Sequence, residues 1–80
     1  MRLMIDVELK RRVRDVRVRR LVTMPTVPVI GMSIYDESLY PTVIEALSYR
    51  IGDTSVVCFL SDDSFGDVET YITNGWERLR

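Results

Sequence analysis

The sequence predicts a small α+β domain, an antiparallel sheet of about five strands with one C-terminal helix. Alternating apolar and polar side chains in the first 24 residues are typical of half-buried strands. The unbroken apolar run at residues 56–60 indicates a central strand, and helical spacing of apolar residues near 65–74 predicts the helix. The alternative is two helices on an antiparallel sheet, in a ferredoxin-like arrangement. A chain of 80 residues is expected to form a single domain, 1–80.

Residues 2–24 are predicted to form an N-terminal β-hairpin. Apolar side chains recur at every second position in both strands: Leu3, Ile5, Val7 and Leu9, then Val16, Val18 and Val22. A register in which paired residue numbers sum to 25 gives three apolar pairs and three pairs of opposite charge. The charge pairs are Asp6 with Arg19, Glu8 with Arg17 and Lys10 with Asp15. The turn would then be a four-residue loop at 11–14, because this segment lacks the Gly or Asn of a tighter turn.

The middle of the chain, the first part of a predicted β-rich body at 29–80, is expected to add two strands. Residues 25–28 contain two prolines and are predicted to be a connector. Residues 29–35 indicate a short strand, followed by a turn at 36–38. Residues 42–51 fit either a strand or a helix. We favour the strand, because Gly52-Asp53 between two apolar segments is a hairpin signal.

The C-terminal segment predicts a helix followed by a closing strand at 76–79. Ser64 and Asp67 resemble a capping box at the start of the helix. Asn74-Gly75 would end it, with Trp76 folding back toward Tyr71 as in a Schellman motif. The alternative for this segment is a hairpin, since Asn-Gly is also a strong two-residue turn signal.

The charges are distributed unevenly along the chain. Residues 1–24 carry eight basic and three acidic side chains, whereas residues 25–80 carry three basic and nine acidic ones. This polarity suits a basic binding surface or head-to-tail self-association. The predicted register leaves four arginines of the hairpin without an acidic partner. These candidate binding residues are Arg11, Arg12, Arg14 and Arg20.

The residue types argue against enzymatic function, and no cofactor is predicted. The chain has no histidine, which removes the commonest general base and metal ligand, and it contains no glycine-rich phosphate-binding loop. Cys58 is the single cysteine, so no intrachain disulfide is expected. The acidic group Asp62, Asp63, Asp67 and Glu69 does not have EF-hand spacing. Helix N-terminal chemistry accounts for these acids, and no metal site is predicted.

We therefore expect a non-enzymatic macromolecular binding or assembly protein whose partner is another protein or its own copies. The alternative is a nucleic-acid-binding module that uses the arginine-rich hairpin tip. No membrane association or small-molecule ligand is expected. The location should be cytoplasmic or within a virus particle, since no signal peptide is evident. The run 43–80, which ends in N-G-W-E-R-L-R, resembles short proteins of bacterial viruses and so implies a virus-encoded accessory or virion component.

Overall fold

The computed structural model describes residues 4–35, 42–49, 52 and 56–79. Its elements are β1 (Ile5–Val13), β2 (Val16–Met24), β3 (Ser33–Ile34), β4 (Thr42–Tyr49), β5 (Val56–Leu60), α1 (Val68–Thr73) and β6 (Glu77–Arg78). The strands form one sheet in the order β3-β4-β5-β1-β2-β6. The predicted fold class, a small β-rich α+β domain with a helix near the C-terminus, is confirmed. The sheet is mixed rather than wholly antiparallel, because β5 pairs with β1 in parallel.

The N-terminal hairpin is present, but its predicted register and turn are wrong. The paired residue numbers sum to 29, with Val13 opposite Val16, and the turn is the dipeptide Arg14-Asp15. The longer hairpin buries Val13 completely in the core. Burial of a valine stabilises a fold by about 1.5–3 kcal/mol, whereas an exposed ion pair contributes about 0–1 kcal/mol. Apolar burial therefore outweighs the charge pairs on which the other register depended.

The strand predicted at 42–51 is confirmed over Thr42–Tyr49, but the strand predicted at 29–35 is shortened to Ser33–Ile34. Gly31 has a φ of +91° in a turn immediately before β3, and this conformation interrupts the extended backbone. The connector predicted at 25–28 contains no strand. Leu3, the predicted turn at 36–38 and Asp53 of the predicted Gly52-Asp53 turn lie outside the described residues.

Helix α1 is shorter than the predicted span 65–74, and Asp67 rather than Ser64 provides its N-cap by accepting a hydrogen bond from the backbone N–H of Glu69. The predicted Schellman ending is confirmed. Gly75 has a φ of +96°, and the N–H of Trp76 donates to the carbonyl of Tyr71 at 3.0 Å. The two aromatic rings pack edge to face with centroids 5.5 Å apart. At six residues, this helix of the described chain is too short to cross a bilayer.

The core lies on the face of the sheet that α1 covers. Its buried side chains are Val7, Leu9, Val13, Val18, Ile44, Val56, Cys58, Leu60, Tyr71 and Trp76. Side chains that alternate with these point to the other side, and no helix of the described residues covers them. We call this side the open face and define it by Lys10, Arg12, Arg17, Arg19, Ala46 and Phe59. The alternation within β1 and β2 thus places Lys10, Arg12, Arg17 and Arg19 on the side opposite the core, where Glu8 and Val57 also lie and are buried.

Arg14→Gly should stabilise the hairpin turn. Arg14 has a φ of +54°, a region that costs an ordinary L-residue roughly 1–2 kcal/mol and that glycine adopts freely. After allowance for the greater freedom of glycine in the unfolded chain, we expect the free energy of unfolding to rise by up to about 1 kcal/mol. Urea denaturation measures the change.

Thr23→Gly is the matched control for this turn, because Thr23 is an exposed residue inside β2. Glycine in a strand interior lowers stability, so this variant should lose about 1 kcal/mol. If both variants lose stability equally, the turn at Arg14-Asp15 is contradicted.

Candidate functional site

A groove of about 460 Å³ crosses the open face from β4 to the residue after β6, and Arg11 and Leu60 of the core side also border it. Its lining residues are Lys10, Arg11, Arg12, Arg17, Glu45, Ala46, Phe59, Leu60, Asp62 and Leu79. The backbone N–H of Leu79 donates to the carbonyl of Arg17 at 2.8 Å, which holds the C-terminal end of the chain beside β2. The groove therefore combines four basic residues, of which Arg11 is buried, with two carboxylates and an aromatic ring.

Phe59 lines this groove from β5, which lies between β4 and β1. Its side chain is 40% exposed although β5 is an interior strand of the sheet. Lys10 is its registered neighbour on β1, and the Lys10 Nζ atom lies 5.9 Å from the centroid of the ring. On the other side Phe59 is paired with Ala46, whose methyl group leaves space beside the ring. Packing of the hydrophobic core does not require an exposed aromatic ring next to an ammonium group.

The basic residues of the open face occupy directly opposed positions on β1 and β2. Arg12 lies directly opposite Arg17, and Lys10 lies directly opposite Arg19. Like charges at opposed positions of a sheet destabilise it. Hydrogen bonds to two acids, Glu8 at 3.1 Å and Glu77 at 2.9 Å, satisfy Arg19 and raise the pKa of its guanidinium.

The other three cations are not neutralised to the same degree. Arg12 is 3.7 Å from the carboxylate of Asp15, whose side chain is 99% exposed, so this contact is weak. Lys10 and Arg17 form no ion pair within the described parts of the chain. Lys10, Arg17 and the weakly paired Arg12 are therefore available to an anion in the groove.

The acidic residues of the groove lie on its other side. Glu45 belongs to β4, and Asp62 follows β5, whereas the cations belong to β1 and β2. Since the sheet order is β4-β5-β1-β2, the charge changes sign across the groove. Phe59 on β5 lies between Glu45 on β4 and the cations on β1 and β2. The groove is thus polarised rather than uniformly basic.

The structure places the four sequence-predicted binding residues in different environments. Arg12 lines the groove, and Arg14 is exposed in the turn. Arg20 is half-buried on the core side of β2, opposite Leu9, and lines a separate groove of about 300 Å³ near Gly75. These three residues do not form one surface.

Arg11 is buried rather than exposed at the hairpin tip, so its predicted position is wrong. Its side chain is 6% exposed, and its Nε donates to the carbonyl of Ser61 at 2.9 Å. Its guanidinium carbon lies 6.0 Å from the centroid of the Tyr71 ring, and its Nη1 has no hydrogen-bond partner among the described residues. The corrected register causes this change, because Arg11 shares the core face with Leu9 and Val13.

Sequence reasoning missed Lys10, Arg17 and Phe59 as members of the candidate site. Strand alternation places Lys10 and Arg17 on the open face, but the predicted register paired both with acids. Phe59 belonged to the apolar run that indicated a central strand, and no binding role was assigned to it. The alternation of Lys10 with buried Leu9 was the sequence signal that Lys10 points away from the core. The position of Phe59 beside Lys10 could be known only from the parallel pairing of β1 with β5.

Asp63, a member of the acidic group in the sequence, is a structural residue. Its backbone N–H donates to the carbonyl of Arg12, and its carbonyl accepts from the N–H of Arg14, each at 2.8 Å. Its carboxylate accepts from the backbone N–H groups of Phe65 at 3.0 Å and Gly66 at 2.7 Å. A Cβ at Gly66 would overlap this carboxylate, so the loop requires glycine there.

The same carboxylate accepts a 2.5 Å hydrogen bond from the Tyr71 hydroxyl and connects the loop to α1. Burial alone would raise the pKa of Asp63, but these hydrogen bonds and the nearby charge of Arg11 together hold that pKa below its usual value. Burial and the hydrogen bond to Asp63 raise the pKa of Tyr71.

Asp67 of the acidic group is the N-cap of α1, and no group of three potential metal ligands occurs within the described ranges.

Asp63→Ala should destabilise the fold by about 2–4 kcal/mol. The change leaves a buried hydroxyl and two backbone N–H groups without their acceptor. Because the folded pKa of Asp63 is lowered, its contribution is present above the ordinary aspartate pKa of about 4. That contribution is lost as the pH falls from there through the lowered folded value. Thermal unfolding across this pH range measures both effects.

Tyr71→Phe should remove part of the same pH dependence, because the Tyr71 hydroxyl is one cause of the lowered pKa of Asp63.

The matched control for Asp63→Ala is Asp62→Ala at the preceding, exposed position, where we expect the free energy of unfolding to change by less than about 0.5 kcal/mol at neutral pH. Equal effects of the Asp62 and Asp63 substitutions would show that Asp63 does not hold the loop and the helix together.

Known proteins add nothing to this description of the groove. No family model matches the chain, and neither a curated protein nor a solved structure shows significant similarity to it.

Proposed function

We propose that this chain is a non-enzymatic nucleic-acid-binding protein whose open face holds phosphate groups on Lys10, Arg12 and Arg17. The observation that carries the proposal is the concentration of these three cations in one groove, on a face that no described helix covers. Arginine and lysine contacts to phosphates supply most of the affinity in non-specific nucleic-acid binding. The proposed site lies on the sheet surface and replaces the hairpin tip expected from the sequence.

The stability cost of the groove supports this proposal. Two arginines at opposed positions, Arg12 and Arg17, do not stabilise the sheet, so selection for stability alone does not account for them. A bound phosphate between the two guanidinium groups would turn their repulsion into attraction, because each guanidinium can donate two parallel hydrogen bonds to its oxygens. The exposed Phe59 ring in the same groove adds a surface for an unsaturated ligand.

Arg17→Gln should weaken binding and reduce its salt dependence. Fluorescence anisotropy of a labelled oligonucleotide of about 12 nucleotides, between about 50 and 200 mM salt, measures both quantities. Each lost phosphate contact should lower the slope of log K against log salt by about 0.7 for a single strand. Arg12→Gln should behave in the same way.

Arg78→Gln is the matched control, since Arg78 is an exposed arginine that does not line the groove. We expect it to retain the affinity and the salt slope of the native chain. Equal losses in the Arg17 and Arg78 variants, or no binding of any oligonucleotide at the lowest salt, would contradict the proposal.

A second candidate function is self-association, as in an assembly or virus-encoded accessory protein. The observation that favours it is a group of exposed apolar side chains at 27–35, where Val27, Val29, Ile30 and Tyr35 are 50–77% exposed. The four residues lie within nine positions of the chain, and large exposed apolar patches are typical of protein interfaces. On this proposal, light scattering should show a dimer or larger species, and Ile30→Ser should shift it toward the monomer; Thr26→Ser at a neighbouring exposed position is the control. A native chain that stays monomeric contradicts it.

A further inference from the structure

We infer that the groove accepts a single strand, not a duplex, and that one base of this strand stacks on Phe59. The inference rests on the proposed function and specifies the ligand at that site. It follows from two features of the groove, the change of charge from one side to the other and the exposed ring between the two sides.

The charge polarity allows one phosphate backbone in the groove. Lys10, Arg12 and Arg17 on β1 and β2 attract phosphates, whereas Glu45 and Asp62 on the β4–β5 side repel them. A duplex carries two backbones and would bring its second one toward the carboxylates. A single strand carries one backbone and turns its bases to the other side. The N–H groups of bases can donate to carboxylates there.

Phe59 is placed for the base of a nucleotide whose phosphate lies on β1. Its ring is 40% exposed, its neighbour on β4 is the small Ala46, and its neighbour on β1 is Lys10. Lys10 Nζ lies 5.9 Å from the ring centroid, so a phosphate contact and a stacking contact are adjacent. Proteins that bind single strands combine a basic track with aromatic rings on which bases stack, largely independently of sequence.

Three probes of equal strand length test the inference: a mixed-sequence single strand, the same sugar–phosphate chain without bases, and the duplex of that sequence. The base-bearing strand should bind about tenfold more tightly than the abasic one, because stacking is lost without bases. It should also bind more tightly than the duplex at the same salt concentration.

Phe59→Leu should weaken binding of the base-bearing strand about tenfold and leave binding of the abasic strand unchanged. Phe59→Tyr keeps an aromatic ring and should retain the preference for bases. Phe65→Leu is the matched control, since Phe65 is 90% exposed and does not line the groove. Circular dichroism and the melting temperature establish that each variant is folded. The ratio of affinities for the base-bearing and abasic strands is measured on the native chain, so it tests the inference even if a variant fails to fold.

The outcomes separate the inference from the proposed function. Equal affinity for the base-bearing and abasic strands would overturn base stacking while leaving phosphate binding in place. Duplex binding as tight as single-strand binding would overturn the single-strand assignment in the same way. If none of the probes binds at low salt, the proposed function fails and the inference fails with it.

Discussion

Asp63 connects parts of the fold that the pairing of the strands does not connect. Its backbone continues the pairing of β1 beyond β5. Its carboxylate organises the next loop and accepts a hydrogen bond from the Tyr71 hydroxyl of α1. Tyr71 packs against Trp76, which leads into β6 at the edge of the sheet. One buried charge thus connects the hairpin, the loop, the helix and the last strand. Its hydrogen bonds offset the cost of its burial.

The register of the hairpin decides which arginines can meet a partner. With Val13 opposite Val16, Arg11 joins the core face near Tyr71, whereas Arg12 and Arg17 oppose each other on the open face. Neighbours in the sequence therefore have different roles. A basic run that looks uniform in the sequence contains a structural residue and candidate binding residues in alternation.

The candidate site was only partly predictable. Alternation within the predicted strands places Lys10 and Arg17 on one face of the hairpin, and that part follows from the sequence. Arg12 joins them because β1 continues through the segment predicted to be the turn. The acids expected to neutralise Lys10 and Arg17 do not lie opposite them, because burial of Val13 determines the register. Phe59 joins this group through the parallel pairing of β5 with β1, a contact between residues 49 positions apart. No local pattern indicates such a neighbour.

The sequence by itself determined the hairpin strands, and it favoured over one alternative each the strand at 42–49 and the helix with its Schellman ending at Gly75. These depend on side-chain alternation and on turn chemistry, which act over a few residues. Only the tertiary structure decided the register, the insertion of β5 beside β1, and the burial of Arg11 and Asp63. These features depend on the total apolar surface removed from water and on hydrogen bonds between distant segments. The polarised groove exists because these long-range choices placed Phe59 between the basic and acidic sides.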